Sequence, residues 1–426
     1  MNAKFLFVST YGQTLDLGIQ LLKENADVKM WIESAPDRQV GDGFLEKVDD
    51  WKKWSDWADV IVFDDVGFGA TCDELRQRGK AVIGGSIYSD RLELDRDFGQ
   101  QEMKAAGMNV LPSWSFESFD AAIDFVQKNP DRYVVKPNGK AQSEKVLSYV
   151  GQEEDGKDIV TMLTFFKRGW GTKIKGFEIQ KYAAGVEVAI GAFFNGKEFV
   201  LPACVNFEHK RLFNDNIGPS TGEMGTSMFW CGENKLFRDT LGKFKTQLAA
   251  SGYTGYVDLN CIANHRGIVP LEFTSRFGYP TYNIQLDAVL SKWSEFLPAL
   301  ARGEAFNLRT KHGFQVGVVI AVPPFPFEDA AAFKKYSEDA TIIFKRDMVE
   351  GIHACDIKRV EGDWLLTGCS GYALVVTGCA NTMVDAQKEA YNRVKNVLIP
   401  NMFYRTDIGD RWARDGDLLQ SYGFLT

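Results

Sequence analysis

Short apolar runs alternate with amphipathic stretches along the first quarter of the chain. The apolar runs predict buried strands at residues 4–9, 27–32, 59–65 and 80–85, and the stretch 15–23 predicts a helix. Strands that alternate with helices through short connections are typical of a parallel sheet covered by helices. We therefore predict an N-terminal parallel α/β domain at residues 1–110.

Antiparallel β-structure is predicted beyond this domain. Residues 118–128 have a helical pattern, and YVVKPNG at 133–139 reads as a strand that ends in a turn. Residues 254–274 predict a β-hairpin, and a further β-rich unit begins after Gly313. The predicted fold class is α/β and α+β multidomain, with these further domains: a middle domain at 111–312 and a C-terminal β-rich domain at 313–426.

Composition narrows the range of partners. The chain has 426 residues, of which 45% are hydrophobic, so several domains are expected. Its net charge of −8 and the absence of a basic tract disfavour duplex nucleic acid as a partner. No apolar stretch approaches the roughly 20 residues that a membrane helix needs. Seven scattered cysteines without a CxxC motif favour reduced thiols, as in a cytoplasmic protein.

Three tryptophans recur at a spacing of three residues, at Trp51, Trp54 and Trp57. Such a stripe is usually a packed face of a helix, which is the interpretation that we prefer. The alternative is a stacking platform for a nucleic-acid base.

Residues 208–225 read EHKRLFNDNIGPSTGEMG and follow an apolar run. Glycine permits a close approach of the backbone to a ligand, and Lys210 and Arg211 supply positive charge for an anion. A solvated surface loop is the alternative interpretation of this segment.

Two acidic positions lie on the predicted hairpin, in VDLN at 257–260 and in LEFTSR at 271–276. Residues alternate across a strand, so Asp258 and Glu272 can converge if the two strands pair. Two carboxylates beside Arg276 suit a Mg²⁺-bound triphosphate, because hard oxygens hold the metal and a guanidinium neutralises the phosphoryl group. Charges on an exposed hairpin face are the alternative.

The amino-acid sequences of several segments are more specific than these patterns of charge and hydrophobicity. EHKR…GPSTGEMG closely resembles the DHKR…GPNTGGMG signature of the glycinamide ribonucleotide synthetase (phosphoribosylamine–glycine ligase) family, in the ATP-grasp superfamily. The resemblance continues through YTGYVDLN at 253–260, EFTSRFGYP at 272–280, ALVVTGCANTMVDAQKEAY at 373–391 and YRTDIG at 404–409. It implies an N-terminal α/β domain, an ATP-grasp core with a lid at about 114–190, and a C-terminal domain.

The resemblance also implies roles for individual residues. Asp258, Glu272 and Thr274 would bind Mg²⁺ or Mn²⁺, although Thr274 stands where the family has a metal-binding Asn. The implied contacts to ATP are Arg96 and Lys136 on the phosphates, Lys145 in the flap, Gln180, Lys181 and Tyr182 in the adenine hinge, and Glu187 on the ribose. Catalytic roles are implied for Lys210, Arg211 and Arg276, and substrate contacts for Gly222, Glu223 and Gly225.

The chain departs from the family where a phosphoribosyl substrate would bind. Its first βα turn reads STYGQTLDLG where the family has GxGGREHA, residues 64–69 replace GPExPL, and residues 370–374 replace SGGRVL. The glycine-rich flap AAGKGV is also changed at 141–146. The changes in the first βα turn and at 370–374 remove basic side chains, and we predict an altered substrate.

The predicted function is an ATP-dependent carboxylate–amine ligase that forms an amide through an acyl phosphate. Its partners would be a small carboxylate and a small amine, and the chain would be a monomer or a homodimer. The alternatives are an authentic glycinamide ribonucleotide synthetase of purine biosynthesis, an inactive ATP-binding relative, and a carboxylase-like enzyme that uses bicarbonate.

Overall fold

The first part of the chain forms a parallel sheet with helices around it. The computed structural model describes residues 2–137, 148–171, 174 and 176–426. The first elements are β1 (Lys4–Ser9), α1 (Leu15–Lys23), β2 (Asp27–Ile32), β3 (Glu46–Lys47), β4 (Val60–Phe63), α2 (Gly69–Gln77), β5 (Val82–Ile83), α3 (Ile87–Leu94) and α4 (Arg96–Ala105). The strand order is β3-β2-β1-β4-β5, and every pair of neighbours is parallel.

This sheet is buried on both faces, as the continuous apolar runs predict. Phe5 and Phe7 lie in one hydrophobic cluster, while Leu6 and Val8 lie in another on the opposite face. The strand order changes direction between β1 and β4. In open parallel sheets, the crevice at such a point is the usual place for a ligand, and it is bounded here by the loops that follow β1 and β4.

The tryptophan stripe is divided between two environments. Trp51 is buried, with its ring centroid 5.6 Å from that of Phe63, as the packed-face interpretation predicts. Trp54 and Trp57 are half-buried and line a surface cavity of about 660 Å³ together with Lys29. The ammonium of Lys29 lies 4.0 Å from the ring centroid of Trp54, a cation–π contact.

A second unit carries a small antiparallel sheet with two helices against it. Its elements are β6 (Ser113–Phe116), α5 (Phe119–Lys128), β7 (Tyr133–Pro137), β8 (Tyr149–Val150), α6 (Lys157–Trp170) and β9 (Phe177–Lys181). The strand order is β6-β9-β7-β8. Its apolar face, which includes Val135 and Ile179, packs in a hydrophobic cluster of its own. The flap segment 141–146, with Lys145, lies outside the described residues.

The third part of the chain builds the main sheet. Its first elements are β10 (Val186–Asn195), β11 (Phe199–Glu208), β12 (Arg211–Phe213), β13 (Ile217–Ser220), β14 (Gly225–Cys231), α7 (Lys235–Asp239), α8 (Lys245–Ala250), β15 (Thr254–Asn264), β16 (Gly267–Thr274), α9 (Thr281–Ala288) and α10 (Trp293–Arg302). β12 and β13 form a separate two-stranded hairpin that begins at Arg211, directly after His209 and Lys210. The predicted hairpin at 254–274 is present as β15 and β16.

The C-terminal part continues the main sheet. Its elements are β17 (Phe314–Ala321), α11 (Ala330–Tyr336), β18 (Ile343–Phe344), β19 (Ile352–Ala354), β20 (Ile357–Val360), β21 (Asp363–Leu366), β22 (Tyr372–Ala380), α12 (Met383–Val394), β23 (Val397–Leu398) and α13 (Trp412–Ser421). The main sheet has the antiparallel order β16-β15-β10-β11-β14-β17-β22-β19.

The architecture agrees with the predicted fold class, with a parallel N-terminal sheet followed by antiparallel sheets. Strands from both sides of the predicted 312/313 boundary share the main sheet, because β17 pairs with β14. The small sheet ends at Lys181, whereas β10 belongs to the main sheet from Val186 onward. The domain limits themselves stay a prediction.

Candidate active site

One face of the main sheet carries the acidic positions that the hairpin pattern predicts. In the antiparallel register of β15 and β16, Asp258 lies opposite Thr274 and Asn260 lies opposite Glu272. Directly opposite residues of an antiparallel pair project from the same face. Glu187 projects from this face as well, because it pairs with Ile262, two residues along β15 from Asn260.

Lys210 lies among three carboxylates on this face. Its Nζ atom is 3.0 Å from Oε2 of Glu208, 3.3 Å from Oε1 of Glu272 and 3.8 Å from Oε1 of Glu187. The ammonium of Lys210 is the largest cause that lowers the pKa of Glu272 to about 2. Glu272 is therefore ionised at neutral pH and available as a metal or cation ligand.

Asp258 occupies a different environment from Glu272. Its Oδ2 atom accepts hydrogen bonds from Nδ2 of Asn206 at 2.7 Å and from the hydroxyl of Tyr256 at 3.1 Å. Burial, followed by the nearby carboxylate of Glu208, raises the pKa of Asp258 to about 7. Without a bound cation, its charge is only partly developed at neutral pH.

The small sheet contributes basic and polar groups to the cleft between it and this face of the main sheet. Lys136 lies directly opposite Glu178 in the register of β7 and β9, and its Nζ atom donates a hydrogen bond to Oε1 of Gln180 at 3.1 Å. Burial lowers the pKa of Lys136, and the charge of Arg96 lowers it further. Glu272 raises that pKa, so the two sheets are in electrostatic contact across the cleft.

Of the three predicted hinge residues, Gln180 contacts Lys136 in the cleft, whereas the side chains of Lys181 and Tyr182 lie elsewhere. The ammonium of Lys181 pairs with Oδ2 of Asp131 at 2.6 Å, on the face opposite to Lys136. The ring of Tyr182 lies under the guanidinium of Arg132, at 3.6 Å. A hinge role for these two residues would therefore use their backbone groups.

The loop that contains GPSTGEMG is held by local contacts. Arg211 donates a hydrogen bond to the carbonyl of Gly218 at 2.9 Å, and Glu223 is buried. Gly222 is exposed, whereas Gly225 is buried with a φ of +152°. A Cβ atom at Gly225 would lie 2.6 Å from the carbonyl oxygen of Gly317, so close packing of β14 on β17 accounts for this glycine.

Arg276 lies beside the N-terminal sheet and not in the Lys210 cluster. Its Nε atom is 3.2 Å from Oε1 of Glu93 and 3.4 Å from Oδ1 of Asp65. Asp65 belongs to the loop after β4, at the crevice of the parallel sheet. The two carboxylates raise the pKa of Arg276 despite its burial.

The donor set fits a Mg²⁺ ion that is shared with a nucleotide. Within the described ranges, no group of three His, Cys, Asp or Glu side chains is arranged to hold a metal ion by itself. Mg²⁺ is usually bound through one or two carboxylates plus the phosphates of the substrate. Glu208 and Glu272, which both pair with the Lys210 ammonium, would supply the carboxylates in this arrangement.

The cleft lies in a part of the chain that matches a known protein family. The family model described as "Phosphoribosylglycinamide synthetase, ATP-grasp (A) domain" matches residues 94–281, which include the cleft. Residues 94–281 are therefore an ATP-grasp domain of the phosphoribosylglycinamide synthetase type. The family resemblance inferred from the sequence is thus confirmed.

Relatives of the ATP-grasp chain match over most of its length. The phosphoribosylamine–glycine ligase of Streptococcus pneumoniae (strain ATCC BAA-255 / R6) is 25% identical over 427 residues, which cover 96% of this chain and 99% of that protein. The enzyme of the same name from Streptococcus suis is 26% identical and covers 82% of both.

Solved structures share the fold at lower identity. The phosphoribosylamine–glycine ligase of Thermotoga maritima superposes with a TM-score of 0.69 at 20% identity, covering 95% of this chain and all of that one. A biotin carboxylase from Campylobacter jejuni gives a TM-score of 0.62 at 12% identity, covering 99% of this chain and 97% of that one. These likenesses establish the fold of the ATP-grasp chain.

Two carboxylates of the cleft escaped the sequence reasoning. Glu208 is the carboxylate nearest to Lys210, and Glu178 faces Lys136. Alternation along β11 from Asn206 to Glu208 could have placed Glu208 on the face of Asp258. Glu178 carries no comparable signal, because a lone acid inside FEIQK reads as an exposed strand position.

None of the described helices is long and apolar enough to cross a membrane.

Proposed function

We propose that this chain is an ATP-dependent carboxylate–amine ligase whose amine acceptor differs from phosphoribosylamine. The observation that carries the proposal is the cleft in which Glu187, Glu208 and Glu272 surround Lys210, with Lys136 and Arg96 facing them. Carboxylates for a divalent cation opposite basic groups for phosphate are what phosphoryl transfer requires.

The chemistry needs no protein nucleophile. An oxygen of the substrate carboxylate attacks the γ-phosphorus of ATP, the bond from that phosphorus to the β,γ-bridging oxygen breaks, and ADP leaves. The amine nitrogen then attacks the acyl phosphate, phosphate departs and the nitrogen loses a proton, which gives the amide. When bound, Mg²⁺ would neutralise charge on the β- and γ-phosphates.

The protein's part is positioning and electrostatics. Arg96 and Lys136 would neutralise the phosphates from the small-sheet side, while Lys210 would do so from the main sheet. Arg96 is 10% exposed and Lys136 is half-buried, and this partial exclusion of bulk water strengthens their interaction with phosphate. Closure of the two sheets around the nucleotide would exclude the water that hydrolyses acyl phosphates.

The acceptor proposal is supported by acidic groups at the crevice of the N-terminal sheet. Tyr11, in the loop after β1, has a raised pKa because of partial burial and the nearby carboxylates of Glu328, Asp65 and Asp37. Burial also raises the pKa of Asp64 to about 6. A phosphate dianion would be repelled here, whereas a protonated amine would be attracted.

The test measures ADP release with Mg-ATP, glycine and freshly generated phosphoribosylamine, omitting each component in turn. We expect no release from this pair, and release from a screened amine that lacks a phosphate. Release that requires both glycine and phosphoribosylamine would make the chain an authentic glycinamide ribonucleotide synthetase and overturn the altered acceptor. Release that depends on bicarbonate and on no amine would favour a carboxylase-like enzyme.

A protein that binds Mg-ATP but releases no ADP with any acid and amine would be an inactive relative. The substitution of Thr274 for the family's Asn is the sequence feature that this outcome would implicate.

The acidic crevice gives a prediction about pH. Asp356 is buried and accepts a hydrogen bond from the Ser370 hydroxyl, and burial together with Asp37 and Glu328 raises its pKa to about 7. A raised folded pKa favours the folded state below about pH 4, and this contribution is lost as the pH rises through about 7.

Asp356→Asn removes this titration and keeps a hydrogen-bond acceptor for Ser370. Relative to the parent protein, the variant's free energy of unfolding should increase by roughly 2–4 kcal/mol between pH 4 and pH 8. Urea unfolding at both values measures it, with the exposed Asp363→Asn as control. An unchanged difference between the two pH values would mean that Asp356 titrates normally.

A further inference from the structure

Glu178 is a buried carboxylate that lies directly opposite Lys136 on the cleft face of the small sheet. The residue is 1% exposed, and neither carboxylate oxygen has a hydrogen-bond partner in the part of the chain that the structure describes. A buried charge without hydrogen bonds is costly unless opposite charges lie nearby. Glu178 therefore depends on cations in the cleft.

Arg96, the first residue of α4, is the partner that the structure provides. Its Nε atom is 3.8 Å from Oε2 of Glu178, and its side chain is 10% exposed. This distance gives electrostatic attraction but not a hydrogen bond, and the Nε–H of Arg96 has no hydrogen-bond acceptor among the described residues. Arg96 is thus attracted by Glu178 without being fixed by it.

Lys136 belongs to the same group of charges. The charge of Arg96 lowers its pKa, and the charge of Glu178 raises it. Two basic side chains close together repel each other in a site of low polarity. The carboxylate of Glu178 relieves that repulsion.

We propose that Glu178 is the built-in counter-ion of Arg96 and Lys136, which takes the place of nucleotide phosphate in the nucleotide-free protein and opposes its binding. The inference rests on the proposed function, since it assigns the phosphates to these two cations. Phosphate that reaches Arg96 and Lys136 must share them with the fixed charge of Glu178. The carboxylate therefore weakens nucleotide binding and favours the release of ADP.

Stability and nucleotide affinity should change in opposite directions when the charge of Glu178 is removed, which distinguishes this role from a structural one. Removing the charge leaves Arg96 and Lys136 without their counter-ion, so the nucleotide-free protein should become less stable. The same change removes the repulsion of phosphate, so nucleotide should bind more tightly. A residue that only supported the fold would lower both stability and affinity.

The experiment compares the full chain with Glu178→Gln by calorimetric titration with Mg-ADP and by thermal unfolding without nucleotide. We expect the Kd for ADP to fall about five- to tenfold, and the Tm of the nucleotide-free variant to fall. Glu154→Gln is the matched control, because Glu154 lies in the same unit with a side chain that is 85% exposed. This control should leave both quantities unchanged.

A second variant keeps the test decisive if Glu178→Gln folds poorly. Glu178→Asp retains the charge and should bind ADP within about twofold of the parent protein. In the Arg96→Met background, Glu178→Gln should have a smaller effect on ADP affinity, since one of the shared cations is gone.

The proposal is overturned if the parent protein binds Mg-ADP and Glu178→Gln binds it equally or more weakly. It is overturned too if Glu178→Asp loses ADP binding while remaining folded. Failure of the parent protein to bind Mg-ADP at all would instead overturn the proposed nucleotide site, and this inference with it.

Discussion

Glu272→Gln should reduce ATP-dependent ligase turnover by about 10²–10³-fold, the usual cost of removing one electrostatic contact to a transition state. Glu272 is ionised because of Lys210, whose Nζ atom is 3.3 Å away, and it lies where a shared Mg²⁺ would need a carboxylate. Glutamine keeps the size of the side chain but provides a weaker metal ligand. The fold should persist, because Lys210 retains Glu208 and Glu187 as partners.

The measurement is ADP release with the acid and amine found in the acceptor screen. Glu198→Gln is the control, because Glu198 precedes β11 and its side chain is 57% exposed beside Lys245. Its activity should equal that of the parent protein. Activity of Glu272→Gln within about threefold of the parent would remove Glu272 from the metal site.

Arg405→Met should lower the free energy of unfolding by about 3–5 kcal/mol, the usual cost of breaking a buried ion pair. Arg405 is 1% exposed, and its guanidinium donates to both carboxylate oxygens of Asp407, at 2.8 and 2.6 Å. It also donates to the carbonyl of Arg211 at 3.0 Å and to Oδ1 of Asn216 at 3.1 Å. Methionine fills part of the volume but leaves these acceptors without their donor.

Urea unfolding at pH 7 measures this change. Arg414→Met is the control, because Arg414 pairs with Asp415 but its side chain is 76% exposed. Loss of the exposed Arg414 should cost less than about 1 kcal/mol, because Asp415 keeps Arg411 as a partner at 2.6 Å. Equal losses in the two variants would show that the contacts of Arg405 do not stabilise the fold.

Arg405 also matters for the site, since it joins the C-terminal YRTDIG segment to the β12–β13 hairpin that follows Lys210. The two segments are separated by about 190 residues in sequence. Their similarity to one family could be read from the sequence, but their contact could not.

Much of the fold could be predicted from local patterns. β1, α1 and β2 begin and end where the apolar periodicity places them, because burial on both sides of a parallel strand leaves a continuous apolar run. The hairpin at 254–274 could also be predicted, since its two strands are joined by a short turn. The pairing of β17 with β14 could not be predicted, because the two strands are far apart in the sequence and local patterns do not show which strands pair.

The candidate site could be predicted only in part, because local patterns do not show which distant residues meet. The motifs indicated Lys210, Asp258, Glu272 and Arg276 as chemistry-bearing residues, but their spacing could not show which of them meet. The structure brings Glu272 to Lys210, leaves Asp258 with Asn206, and directs Arg276 to Glu93. Their metal, catalytic and substrate roles stay predictions.

The sequence by itself determined the strands and helices that have strong periodicity, the resemblance to an ATP-grasp family, and the loss of basic side chains at the first βα turn. These properties are local, so neighbouring residues are enough to express them. Only the tertiary structure decided that the buried carboxylate of Glu178 lies beside Arg96, and that Asp37, Asp65 and Glu328, from distant parts of the sequence, lie near Tyr11. Charges act through space, so their partners and their pKa values follow from folding and not from spacing along the chain.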